Sequence, residues 1–232
     1  MPKSFVHLHL HTEYSMLDGA SRIGDVVGAV VADGQPAVGI TDHGNMYGVL
    51  ELYGAARDAG VNPVLGMEGY FTAGSRFDRP KRSEHEIFHL TLLAESNVGY
   101  HNLIQLNSAA FIDGYYYKPR ADWELLERYH EGLIATSGCL GGLVPQLILD
   151  ERLDEAREAA ARFQEIFGRD HFFVEVQDHG LADDERVSRP LLDIARAIGA
   201  PLLATNDSHY THAHEAEAHD ALLCVQTGAL MS

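Results

Sequence analysis

The amino end of the chain alternates aliphatic residues with histidine over Val6-His7-Leu8-His9-Leu10-His11. A period of two is the strand period, so an extended segment here sends three imidazoles to one face and the aliphatic side chains to the other. The period then changes. Ile23, Val26, Val27, Val30 and Val31 recur at helical spacing, with Ser21 as the expected N-cap and Gly34 as the stop. The short apolar run over 36–41 predicts a buried strand that empties into Asp42-His43-Gly44-Asn45, and a helix follows over about 47–59, ended by Gly60. Further strands are expected at about 62–71, 88–94, 132–136, 172–176 and 201–205. Between them lie helices at about 97–111, 122–128, 143–149, 153–167 and 183–198. A last helix begins near His212 and stays apolar-periodic at Ala221, Leu222 and Val225 without an obvious stop, which suggests a piece of a longer chain.

Strand followed by helix, repeated about seven times with short connections, calls for parallel strands with helical crossovers, as a barrel or an open doubly wound sheet. No repeat or linker divides the chain, so one α/β domain over 1–232 is expected. Two stretches depart from the pattern. Residues 74–86 are charged and turn-rich and read as a mobile loop, and Gly114-Tyr115-Tyr116-Tyr117-Lys118-Pro119-Arg120 reads as an irregular aromatic and basic loop.

In a parallel α/β architecture the loops after the strands open at one face, and that face carries the site. His9 and His11 belong to the first strand, Asp18 to the loop after it, and Asp42 and His43 follow the second. Cys139 follows the fifth strand, and Asp207 and His209 the seventh. Glu68 and His89 lie inside apolar strands, where an unpaired carboxylate would be costly. Taken singly, each has an ordinary structural use: a satisfied core histidine, a small buried thiol, or turn and cap chemistry at the aspartates. Their joint placement after successive strands is harder to explain that way. A donor set of imidazole, carboxylate and thiolate suits zinc or manganese better than calcium.

Charge narrows the partners. Seventeen Lys and Arg against thirty-four Asp and Glu leave a net charge of −17, so the chain alone lacks the basic face of an autonomous nucleic-acid binder. Bound cations would offset part of that. Met1-Pro2-Lys3-Ser4 leads into the histidine segment with no apolar signal region, and no run approaches a membrane span. The two cysteines, Cys139 and Cys224, suggest no disulfide framework, and a reducing cytoplasm is the natural expectation.

His9-Leu10-His11-Thr12, Ile40-Thr41-Asp42-His43, Gly66-Met67-Glu68, Phe88-His89-Leu90 and Asn206-Asp207-Ser208-His209 together resemble the motifs of the polymerase and histidinol phosphatase (PHP) domain family. Glu13 to Gly19, Thr41 to Met46, Gly99 to Leu103 and Ala204 to Asp207 resemble the branch carried by bacterial replicative DNA polymerases. The resemblance covers essentially the whole chain. It implies a distorted (β/α)7 barrel with a three-metal cluster at the C-terminal ends of the strands, filled by zinc, manganese or iron. Carried over by motif, His9, His11, Glu68 and Asp207 would hold one metal, and Glu68, His89 and Cys139 a second with Glu68 bridging. Asp18, His43 and His209 would hold the third. Asp42 would orient a histidine, and His7 falls where the wider family often has aspartate, so it too would be support.

The activity implied is metal-dependent phosphoester hydrolysis, specifically 3′→5′ exonuclease proofreading. The catalytic metal ligands would be His9, His11, Glu68 and Asp207, and the DNA 3′ end would be delivered by the rest of the polymerase chain. A separate proofreading subunit is a further implied partner, and no membrane is. Tyr115, Tyr116, Tyr117, Lys118 and Arg120 are the substrate-contact candidates, since rings stack on bases and cations meet phosphates. The same residues could instead form a surface loop pinned by packed tyrosines. Two other readings stay open: a free-standing phosphatase for a small ester, and a structural module whose metals stabilise the fold.

Overall fold

The computed structural model describes residues 5–81 and 86–231. Met1 to Ser4, and residues 82–85 of the charged loop, therefore lie outside the described residues. The chain forms two compact units, residues 1–67 with 207–232, and residues 68–206.

In the first unit the histidine segment lies extended between two neighbours. On one side it meets β1 (Ala37–Ile40), with Gly39 N–H donating to His7 O at 2.6 Å and Thr41 N–H to Leu10 O at 2.9 Å. A Cβ at position 39 would lie 2.9 Å from Leu8 Cα, so glycine is what allows this approach. On the other side His11 N–H donates to Ser208 O at 2.8 Å, and Ser208 N–H to His9 O at 3.2 Å. The expected first strand is thus an extended segment with single bridges, Leu10 to Ser208 and Thr12 to Ser21, and no continuous ladder. Asp207, at φ 46, ends the extended run on the partner side.

Helix α1 (Ile23–Asp33) buries Ile23, Val26, Val27 and Val30 and stops at Gly34 in the left-handed conformation. Its N-cap is Arg22 and makes no side-chain cap, so Ser21 sits one residue outside the expected position. Helix α2 (Val49–Asp58) follows β1, and the first half of β2 (Asn62–Phe71) pairs parallel with β1 from Ala37↔Asn62 to Ile40↔Leu65. A 3-10 turn over Ala213–Glu215 leads into α8 (Ala216–Thr227), which Gly228 at φ 72 terminates. The helix read as lacking a stop therefore has one.

The second unit carries β3 (Phe88–Ala94), α3 (Asn97–Ile112), β4 (Tyr115–Tyr116), β5 (Lys118–Ala121), α4 (Trp123–Tyr129), β6 (Leu133–Thr136), α5 (Leu143–Leu149), α6 (Leu153–Phe167), β7 (Phe172–Val176), α7 (Ala182–Ile198) and β8 (Leu202–Ala204). The strand order is β4-β5-β2-β3-β6-β7-β8. The α/β class holds, with parallel pairing at β2–β5, β6–β7 and β7–β8. Pairing is not parallel throughout: β3 runs antiparallel to β6, and β4 to β5. Phe71, Trp123, Phe163 and Phe172 pack ring against ring in series, edge-on at Phe71–Trp123 and stacked at Phe163–Phe172, with centroids 4.7 to 5.8 Å apart.

Two loop expectations change. Residues 114–120 form the β4–β5 hairpin, turned by Tyr117 at φ 62. The described start of the charged loop is pinned, because Arg76 is 4% exposed and its guanidinium meets Asp122 at 3.0 Å. Among the described residues, no helix is long and apolar enough to cross a membrane.

Candidate metal centre

The alternation at the amino end delivers His9 and His11 with no exposed surface. Their Nε2 atoms lie 3.3 and 3.1 Å from Asp207 Oδ1. His43 Nε2 lies 2.9 Å from Asp18 Oδ2, and His209 Nε2 lies 3.7 Å from Asp18 Oδ1. The His11 ring is 4.1 Å from that of His43 and 4.2 Å from that of His209. Donor atoms of His9, His11 and Asp207 lie within 4.8 Å of one another, and so do those of His11, His43 and His209.

Hydrogen bonds fix the ring tautomers. Ser15 Oγ donates its one proton to Asp42 Oδ1 at 2.7 Å, so towards His11 Nδ1 at 2.9 Å it accepts. The proton of a neutral His11 ring therefore sits on Nδ1, and the Nε2 lone pair faces the Asp207 carboxylate. His209 Nδ1 likewise donates to the Asp207 backbone carbonyl at 2.9 Å, leaving Nε2 as the lone-pair side. An acceptor facing an acceptor is repulsive unless a cation lies between them. Four closely packed imidazoles cannot all protonate without mutual repulsion. The donor set fits a divalent metal, which relieves both.

Asp18 and Asp42 both titrate away from their usual range. Burial pushes Asp18 upward, but the hydrogen bond from His43 and any positive charge on His209, His43 and His11 outweigh it and leave it lowered. Asp42 is raised by burial, against the hydrogen bonds from Ser15 and Thr12. Asp42 does not contact the His11 ring directly. It accepts from Thr12 N–H, Thr12 Oγ1 and Ser15 Oγ, each at 2.7 Å, and acts on His11 through Ser15. His7 is half-buried beside Ser208, its Nδ1 3.5 Å from Ser208 Oγ, and desolvation lowers its pKa against the pull of Asp33.

In the second unit Glu68 is 1% exposed inside β2. Its Oε2 lies 3.0 Å from His89 Nδ1 and its Oε1 3.4 Å from Cys139 Sγ, with 3.7 Å between the sulfur and His89 Nδ1. The chain after β6 is packed against His89: His89 N–H donates to Gly141 O at 2.9 Å, and a Cβ at 141 would come within 3.1 Å of the His89 ring.

The hairpin candidates divide. Tyr115 and Tyr117 are exposed, and Lys118 Nζ donates to Tyr70 Oη at 3.1 Å across the Tyr70 ring. Arg120 is 1% exposed and gives its guanidinium protons to the carbonyls of Gly114, Arg76 and Asp78. It holds the hairpin to the loop after β2 and has no free face for a phosphate. Sequence reading missed Ser15 and Thr12 as supports, and also His219, whose Nε2 donates to the Asp18 carbonyl at 2.8 Å from α8. Ser15 stood in a quoted motif; nothing in the helical pattern marks His219.

The α/β fold thus presents imidazole, carboxylate and thiol donors of the kind that can hold a metal ion. Residues 7–179 match the PHP domain, and the chain belongs to that family. Its curated relatives include the DNA polymerase III alpha subunit of Deinococcus radiodurans, 45% identical over 239 residues that cover 100% of this chain and 18% of the relative. The same subunit from Mycobacterium tuberculosis H37Rv is 46% identical over 243 residues, 99% of this chain and 20% of the relative. The chain thus spans about a fifth of the length of these relatives. Among solved structures, a candidate metal-dependent phosphoesterase from Bifidobacterium adolescentis has a TM-score of 0.54 at 17% identity, covering 90% of this chain and 89% of its own. An amidohydrolase from Chromobacterium violaceum has a TM-score of 0.51 at 16% identity, covering 94% of this chain and 96% of its own. Both share the fold.

Proposed function

We propose that this chain is the PHP domain of a bacterial DNA polymerase III alpha subunit and a metal-dependent phosphoesterase that removes nucleotides from a DNA 3′ end. The observation that carries this is the convergence of His9, His11 and Asp207 on one point, with the His11 lone pair turned inward by Ser15 and that of the neighbouring His209 by the Asp207 carbonyl. His9, His11, Asp18, His43, Glu68, His89, Cys139, Asp207 and His209 are the proposed metal ligands, for zinc, manganese or iron. When bound, such ions supply a Lewis acid for the phosphate and lower the pKa of the attacking water.

The chain's own residues set the rest. Ser15 and Asp42 keep the His11 lone pair directed at the metal, as supports of ligating histidines do elsewhere. Buried walls around His9 and His11 keep water from competing for the donors. Tyr117 and Lys118 are the proposed contacts with the single strand, a ring for a base and a cation for a phosphate. With a net charge of −17 the domain relies on the rest of the polymerase to present the DNA, in the cytoplasm, with a proofreading subunit as a further partner.

The test is product identity. Given Mn2+ or Zn2+ and a 5′-labelled single strand, the protein should release mononucleotides and leave a ladder shortened from the 3′ end. Release of phosphate from a small ester with no shortening of DNA would contradict the nuclease reading in favour of a small-molecule phosphatase.

A further inference from the structure

Strand β7 buries a carboxylate that the proposed chemistry does not use. Glu175 is 1% exposed. Its Oε2 accepts the hydroxyl proton of Thr136 and its Oε1 that of Thr205, and Gln177 Nε2 donates to Oε1 at 3.0 Å. A carboxylate so far from water is a poor source of stability, because its desolvation cancels much of what these bonds contribute. What such a group does well is orient its partners.

Those partners lead to one place. Thr136 Oγ1, its proton committed to Glu175, accepts the N–H of Gly138 at 3.1 Å. The N–H of Glu175 donates to Ser137 Oγ at 2.9 Å, and Ser137 N–H to Phe173 O at 3.0 Å. Thr136, Ser137 and Gly138 are the three residues before Cys139. Gly138 takes φ +79, a left-handed turn that brings the sulfur back to 3.4 Å from Glu68 Oε1.

We propose that Glu175 is a positioning residue for Cys139. It locks the Thr136 hydroxyl as an acceptor for Gly138, and the fixed turn aims the Cys139 sulfur at a divalent cation held with Glu68 and His89. An apolar side chain of similar length in place of the carboxylate removes the acceptor that sets the hydroxyl, and the turn loses its anchor. The inference rests on the metal reading above.

Co2+ titrated into the metal-stripped protein separates the two claims. Thiolate-to-Co2+ charge-transfer absorption reports the sulfur as a ligand, and Cys139→Ser identifies the band by removing it. Ligand-field absorption reports the imidazole and carboxylate donors. Glu175→Met and Thr136→Val should each raise the Co2+ concentration at half-saturation of the charge-transfer band by about tenfold to a hundredfold. Far-UV circular dichroism should be unchanged, and Thr136→Ser, which keeps the hydroxyl, should retain the parental titration. A parental charge-transfer titration in folded Glu175→Met overturns the proposal. If that variant does not fold, a parental titration in Thr136→Val overturns it instead. A parent protein with no charge-transfer band overturns the metal reading at Cys139, and this inference falls with it.

Discussion

His11 shows how a buried ring acquires a direction. Its Nδ1 side is closed by Ser15, whose proton is committed to Asp42, so the lone pair on Nε2 faces Asp207 at 3.1 Å. Ser15→Ala frees the ring to take either tautomer. We expect it to weaken metal binding in the first unit by about tenfold to a hundredfold, measured by calorimetric titration of the metal-stripped protein. Unchanged affinity would show that Ser15 does not control the ring. Residue by residue, the candidate donors and Asp42 as a support of a histidine stand out in the sequence, whereas Ser15, Thr12 and His219 do not. Arg120 is the plainest case: beside three tyrosines it reads as a phosphate contact, and only its three carbonyl partners make it internal.

At the level of elements, Asp122 caps α4 through Leu125 N–H at 3.2 Å and also holds Arg76, with both side chains about one-twentieth exposed. Removing Asp122 leaves the buried Arg76 guanidinium with the largely exposed Glu124 as its carboxylate partner and takes away the cap of α4. Asp122→Ala should therefore destabilise the protein by about 3–5 kcal/mol in urea unfolding. Glu124, 66% exposed on the same arginine, should matter by less than about 1 kcal/mol. Glu215 closes the entrance to α8, accepting from His212 N–H at 2.7 Å and Thr211 N–H at 2.9 Å. The His212 bond, against desolvation and with help from Thr211, holds its carboxyl below the usual value. A lowered folded pKa contributes stability above the unfolded pKa and loses it as pH falls through the folded one. Glu215→Gln should thus melt below the parent at neutral pH, with the gap closing in acid. An equal gap at both pH values would contradict the assignment.

Elements with a clear period were legible to within a residue or two, as at β2, β3, α5 and α6. Three features were not. The β4–β5 hairpin is too short to show alternation, and its turn places Tyr117 in a conformation usually left to glycine. The histidine segment pairs through isolated bridges to Ser208 and Ser21, and Asp207, next to the first of these, takes φ 46 in place of an extended conformation. Antiparallel pairing of β3 with β6 depends on strands 39 or more residues apart, which no local pattern encodes.

For the whole molecule, a net charge of −17 sets the terms on which any nucleic acid is met. Metal ions held at the proposed donors would reverse that sign locally, and binding of DNA should then depend on them as well as on salt. The most direct test compares metal content and single-strand hydrolysis of the parent with those of His9→Ala and Asp207→Ala. Each substitution should lower the bound metal measured by elemental analysis and reduce hydrolysis by about a hundredfold or more, in step with the loss of a Lewis-acid site. Hydrolysis that persists at the parental rate in both variants would contradict the assigned centre.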